Sequence, residues 1–280
     1  MATELQNTWD DIAHHFDDWG PPLRPCPEDL QIVQQVLVRW HAWNPVRLAQ
    51  MFLCGVTPEI AKMSWPFAIN LLGMDQAESM VRVVWPGDIS GTRRAVVGNW
   101  TNSGLAPESQ DVVISDGGFA WFDYPVGIRQ LTLILRTLLK PGGLFVYRHF
   151  AQSDRRETLG EVIDDMVARK IGNFHIFKWR VAMALQAESC RGVSQHEIWQ
   201  ACQDAGVDSV NQSQPGWSAR EINTSRFYKG KDSRLYFPTL DEFRAVLAEV
   251  FDEVEVAIPM YELGDRCPTL SARVLDGDPS

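Results

Sequence analysis

Several common function classes find little support in this chain. Its 280 residues hold 26 lysines and arginines against 36 aspartates and glutamates, a net charge of −10. That shortage of positive charge removes the electrostatic footprint of a sequence-independent nucleic-acid binder, so no nucleic-acid partner is expected. Cysteine is sparse and odd in number, with residues at 26, 54, 190, 202 and 267. No pair stands at CxxC or other zinc-ligand spacing, so neither a disulfide framework nor a metal site is expected. Long hydrophobic runs are missing. The longest uncharged, apolar-rich stretch, Ser64 to Met74, is too short to span a bilayer and contains Pro66 and Asn70. Met1 to Asp10 carries acidic and polar residues without the apolar centre of a secretory signal. The expectation is a chain without membrane partners in a reducing, cytoplasmic setting.

What is present is an ordinary globular composition, 45% hydrophobic and 22% charged, with an unusual count of 11 tryptophans. Those indoles suit either aromatic-lined cavities or extra core bulk. The N-terminal part reads as helical. Leu30, Val33, Val36, Leu37 and Trp40 recur at helical spacing, and Gly20-Pro21-Pro22 separates this helix from a short one holding Trp9, Ile12 and Phe16. From Arg47 short apolar runs alternate with helical segments: strands over Leu48–Gly55, Phe67–Met74, Ala95–Val97, Asp111–Ser115 and Gly143–Phe150, with helices over 58–64, 76–84 and 127–139. This alternation predicts βαβ units around a parallel sheet buried on both faces. Lys140-Pro141-Gly142-Gly143 reads as a helix stop and a tight turn. Residues 155–205 read as helical, 206–225 as a polar loop, and the end of the chain as a helix (239–250), two strands (253–258 and 269–274) and a frayed tail, Asp276–Ser280.

The strand ends carry the chemistry. The first runs into Cys54-Gly55-Val56-Thr57-Pro58, where glycine allows close backbone approach and Thr57-Pro58 suits a helix start. The second ends in Asp75-Gln76, and Asp75 lies 20 residues past Gly55. A carboxylate there suits a ribose diol, which donates two hydrogen bonds; capping the next helix is its structural alternative. The third ends in Gly98-Asn99-Trp100, with an amide to read an adenine edge and an indole to stack on it, and the fourth in Ser115-Asp116-Gly117. Ligands of open α/β sheets bind at such carboxyl ends.

Taken in order, LAQMFLCGVTPEIA, LLGMDQAESM, GNW, SQDVVISDG and LLKPGGLFV resemble the motifs of class I S-adenosylmethionine-dependent methyltransferases, of a bacterial type with a VTPE-like glycine turn. FDEVEVAIPMYELGDRCPTLSARV resembles the strand pair that ends that fold. The resemblance covers roughly residues 45–150 and 239–275. It implies a doubly wound, mostly parallel seven-stranded sheet with a terminal antiparallel strand and a helical lid. It also implies S-adenosylmethionine as cofactor, held by Gly55, Thr57, Asp75, Gln76, Asn99, Trp100, Asp116 and Gly117. Two departures stand out: the turn keeps only Gly55, and Asn99 replaces the usual aspartate.

The expected organisation is an N-terminal helical lid over 1–44, a cofactor-binding domain over 45–154 and 236–280, and an inserted acceptor-binding cap over 155–235. Within the cap, His175 and Trp179 are four apart on a helix, and His175 is the general-base candidate by side-chain type. Arg148, after the fifth strand, suits either a carboxylate substrate or a pairing with acids of the lid, and Tyr228, Tyr236 and Tyr261 are further pocket candidates. Trp9 and Trp19 are placed to close the site or to pack in the core. A second role open to the cap's aromatics is packing across a subunit interface, which would make the chain a homodimer. The leading expectation is methyl transfer to a small molecule. The alternatives are a non-catalytic cofactor-binding module and a methyltransferase acting on a macromolecule. A dinucleotide oxidoreductase is disfavoured because the turn lacks GxGxxG.

Overall fold

The computed structural model describes residues 2–207 and 216–274. The tail and part of the polar stretch, 208–215, lie outside the described residues. The sheet is built from β1 (Ala49–Cys54), β2 (Ile69–Asp75), β3 (Arg93–Val97), β4 (Gln110–Asp116), β5 (Leu139–Arg148), β8 (Glu253–Ala257) and β9 (Thr269–Arg273). Its order is β3-β2-β1-β4-β5-β9-β8. The first five strands pair in parallel, and β9 runs antiparallel between β5 and β8. A two-residue pair, β6 (Val193–Ser194) and β7 (Arg234–Leu235), stands apart from it.

Both faces of the central strands are covered. Met51, Leu53, Val112 and Ile114 pack on one side with Val33, Val36, Leu37 and Trp40 of α2 (Pro27–Trp43). Phe52, Cys54 and Val113 pack on the other with Ile128, Leu131 and Leu135 of α4 (Val126–Leu138) and Phe243, Val246 and Leu247 of a helix at Leu240–Leu247. Alternate residues of one apolar strand therefore feed two cores, which explains why these strands read as unbroken hydrophobic runs.

Three details differ from the sequence expectation. The Lys140–Gly143 segment belongs to β5, whose pairing starts at Leu139↔Gln110 and shifts register before Val112↔Leu144. Gly142, at φ +72°, lets the extra residues bulge out without breaking the strand. The helix expected over 76–84 contains a π-helical stretch, Met80–Val84. The region expected to be a loop to residue 225 contains a short helix, Ala219–Asn223, continued by a 3₁₀ turn, Thr224–Tyr228.

Between β5 and the final helix–strand unit, which opens with α9 (Leu240–Leu247), lie α5 (Leu159–Val167), α6 (Phe174–Leu185), α7 (Gln195–Asp204) and α8 (Ala219–Asn223). Helix α6 is buried continuously from Phe174 to Met183, as a helix packed on all sides must be. Glu157 ties it to the sheet, pairing with Arg180 of α6 and with Arg266 (2.6 Å) just before β9. Among the described residues no helix is long and apolar enough to cross a membrane.

Candidate functional site

A cavity of about 390 Å³ opens where β1, β2, β3 and β4 end. Its floor is made of the strand-end residues Gly55, Thr57, Asp75, Gln76, Asn99, Trp100, Asp116 and Gly117. All eight residues expected at the cofactor thus lie on one cavity. Its roof comes from two distant parts of the chain: Trp9, Phe16 and Trp19 from α1 (Ala2–His14) and the turn after it, and Trp179 and Tyr228 from the 155–235 segment.

Local backbone geometry makes the floor. Gly55 has φ +109° and Gly117 φ +65°, conformations that side chains resist. A Cβ at Gly117 would press into the Phe150 ring, and one at Gly118 would meet Trp100 at 2.8 Å. Trp100 lies back over the strand ends, its Nε1 donating to the Met74 carbonyl at 2.6 Å. The same carbonyl accepts from the Gly55 N–H at 2.8 Å. Asn99 Oδ1 is used locally, accepting from the Thr101 N–H and hydroxyl at 2.9 Å each. Thr57 sits at the start of α3 (Pro58–Lys62) but makes no side-chain cap.

Asp75 combines both of its expected roles. Its Oδ1 accepts from the Ala77 N–H at 2.9 Å, the local cap, and the residue also faces the cavity. Burial pushes its carboxyl up to about 6, against the pull of that N–H. Asp116 is different. It is locked to Arg148 Nε at 2.6 Å, and burial raises its carboxyl despite the guanidinium beside it.

Four expected residues do not reach the cavity lining. Arg148 lies behind the site, where it binds Asp116, donates to the Pro22 carbonyl at 2.6 Å and approaches Asp29 at 4.0 Å. Tyr261 donates to Asp29 Oδ1 at 2.9 Å, so it extends the same network instead of facing substrate. Tyr236 packs beside Gly192. His175 is fully buried: its Nε2–H donates to the Asp18 carbonyl at 3.1 Å, and its ring stacks on Trp19 with centroids 5.9 Å apart. Burial, with Lys178 nearby, pushes its imidazole down to about 3. The reason is that α6 packs on every side, so four-residue spacing brings Trp179 to the cavity while His175 meets the N-terminal turn.

Residues not anticipated also line the site, among them Trp121, Phe122, Phe150 and Arg24. Trp121 pairs with Trp9 at 5.2 Å, and Arg24 lies 4.2 Å over the Phe16 ring while bonded to Glu59. The GFAWF run after the fourth strand was the available signal for Trp121 and Phe122. Among the described residues no group of three or more His, Cys, Asp or Glu side chains is placed to hold a metal ion.

No family model and no curated protein matches the chain. Solved structures do match in fold. The CurJ carbon methyltransferase aligns at TM-score 0.52 and 12% identity, over 90% of this chain and 56% of its own. A Rhodobacter sphaeroides chain described as a candidate Zn-dependent alcohol dehydrogenase aligns at TM-score 0.61 and 11% identity, over 96% of this chain and 97% of its own. A candidate O-methyltransferase from Nostoc punctiforme aligns at TM-score 0.50 and 12% identity, over 95% and 59%. This chain therefore spans little more than half the length of the two methyltransferase chains. At such identities the likeness establishes a shared Rossmann-like fold.

Proposed function

We propose that this protein transfers a methyl group from S-adenosylmethionine to a small molecule. The observation that carries the reading is the convergence of four successive strand ends, bearing Gly55, Asp75, Asn99-Trp100 and Asp116-Gly117, on one cavity. The sheet adds support. An antiparallel β9 between β5 and β8 is the strand pair of the methyltransferase fold, whereas the dinucleotide fold continues its second half with parallel strands.

The residues present fit the cofactor. Asp75 presents a largely desolvated carboxylate to the cavity, and among the described residues only its Oδ1 is engaged, leaving Oδ2 for a diol. Gly55, at φ +109°, leaves room for a ligand against bare backbone, while Gly117 and Gly118 let the Phe150 and Trp100 rings pack onto the floor. When bound, S-adenosylmethionine supplies a methyl group activated by its sulfonium. The chain's contribution is positioning: floor glycines, the Asp75 carboxylate and the aromatic roof orient two small molecules and exclude water. In this reading residues 1–44 and 155–235 act as lid and cap over the sheet domain.

Calorimetry with S-adenosylhomocysteine and NAD on purified full-length protein is the test. Micromolar binding of the former and none of the latter is expected. NAD binding with silence toward S-adenosylhomocysteine would overturn the reading. Binding without turnover of labelled S-adenosylmethionine in any metabolite pool would leave a non-catalytic module instead.

A further inference from the structure

The acceptor half of the cavity has a chemical character of its own, and the inference drawn from it rests on the methyltransferase reading above. Its wall contains Trp19, Phe150, Trp179 and Tyr228. Trp19 Nε1 and Trp179 Nε1 are both buried and have no hydrogen-bond partner among the described residues. Buried donors are costly to leave unmade, and both belong to side chains that line the cavity.

The same wall is backed by positive charge. Lys178 Nζ lies 3.9 Å from the Trp19 ring centroid, 5.0 Å from that of Tyr228 and 5.7 Å from that of Phe174. It is fully buried on α6, and it donates to Thr224 Oγ1 at 3.0 Å. Glu221, the Cys202 thiol and the His175 ring act on it through space, but no carboxylate among the described residues forms an ion pair with it. The other cations beside the cavity's rings are answered. Arg24, over Phe16, is bonded to Glu59, and Arg148, 5.2 Å from the Phe150 centroid, is bonded to Asp116.

A cationic ligand would therefore compete for ring faces that already hold protein cations. It would also meet Lys178, whose amine burial pushes down to about 7, so that it holds its proton only in part near neutrality; an anion beside it in this low-dielectric surrounding would keep the proton on and be attracted in turn. We propose that the acceptor is a flat, conjugated organic anion whose carboxylate or phenolate oxygen is received by the indole N–H groups of Trp19 and Trp179, with Lys178 answering its charge from behind the Trp19 and Tyr228 rings. An acceptor that enters ionised needs no side chain to take its proton. This matches a lining in which, among the described residues, no histidine occurs and the only carboxylates, Asp75 and Asp116, lie on the strand side.

The test is a competition among isosteric probes on the full-length protein, with and without S-adenosylhomocysteine: naphthoate, naphthamide and naphthylmethylammonium. Naphthoate is expected to bind about tenfold or more tighter than either of the others, the scale of a hydrogen bond to a charged group. Lys178→Met should remove about tenfold of the naphthoate affinity, leaving naphthamide and S-adenosylhomocysteine binding as they were. Trp179→Phe should weaken naphthoate severalfold. Equal affinity for the three probes, or tightest binding of the ammonium, would overturn the proposal on the parent protein alone, whatever the variants do. Because the probes are also read without cofactor, failure to bind S-adenosylhomocysteine would sink the methyltransferase reading separately.

Discussion

Asp75 is the residue whose chemistry can be followed most directly. Burial holds its carboxyl near 6, above the ordinary 3.8. A raised value means that the folded chain binds the proton more tightly than the unfolded chain. Asp75 therefore contributes stability that is complete below pH about 3.8 and is lost as the pH rises through about 6. Above that pH the desolvated carboxylate has, among the described residues, only the Ala77 N–H as a donor, and a diol supplies more. S-adenosylhomocysteine affinity should accordingly weaken by up to about tenfold per pH unit below pH 6. Asp75→Asn should flatten that profile and lower affinity at neutral pH by roughly ten- to a hundredfold. Titration calorimetry across the range checks both, and an unchanged profile in the variant would reduce Asp75 to the cap of Ala77. Gly117 offers a steric counterpart. At φ +65° with Phe150 against its Cα, Gly117→Ala should cost about 1–3 kcal/mol of stability. The accompanying shift of Phe150 should raise the KM for the acceptor, measurable once an acceptor is in hand.

At the scale of elements, the 155–235 segment is held by apolar contact and, at one point, by charge. Burial alone would raise the Glu157 carboxyl, but Arg180 and Arg266 outweigh it and hold it below its ordinary value. The stability it contributes is thus present above its ordinary value of 4.5 and is lost as the pH falls through the lowered one. Glu157→Gln leaves the Arg180 and Arg266 guanidinium groups without this half-buried partner and should cost about 1–3 kcal/mol in urea unfolding. A loss within experimental error would mean that Asp165, which also reaches Arg180 at 2.7 Å, carries the connection. None of this network was legible in the sequence, because its members lie far apart along the chain and pair only once the segment has docked. The central strands and their parallel pairing, by contrast, were legible, since doubly buried strands leave unbroken apolar runs with Gly or acid at their ends. The site divides the same way. Gly55, Asp75 and Gly117 follow strands and fall on the cavity by topology. His175, Arg148 and Tyr261 were misplaced because residue type and spacing do not reveal which face of a helix is covered, or that Tyr261 meets Asp29 from 232 positions away.

Over the whole molecule, the cavity is closed by a turn held from outside. The carbonyls of Asp18, Pro21 and Pro22 accept from His175 Nε2 at 3.1 Å, Asn173 Nδ2 at 3.1 Å and Arg148 Nη1 at 2.6 Å. These donors come from α6, from the residue before it and from the end of β5, so the turn reports on the docking of both the cap segment and the sheet. Its own backbone has few ladder bonds to protect it, yet it carries Trp19 into the roof. Segments of this kind open at lower free energy than a central strand. Amide exchange over residues 16–24 is therefore expected to run well ahead of exchange in β1 and β4 in the free protein. It should slow by about tenfold or more when S-adenosylhomocysteine and naphthoate are added together, because a ligand that binds only the closed form stabilises it by mass action. Cofactor alone should give a smaller effect, since Asp75 and the floor glycines lie on the opposite side of the cavity from Trp19. Slow exchange in the free protein would mean that the turn is a fixed wall, and that ligands enter on the strand side past Asn99 and Thr101.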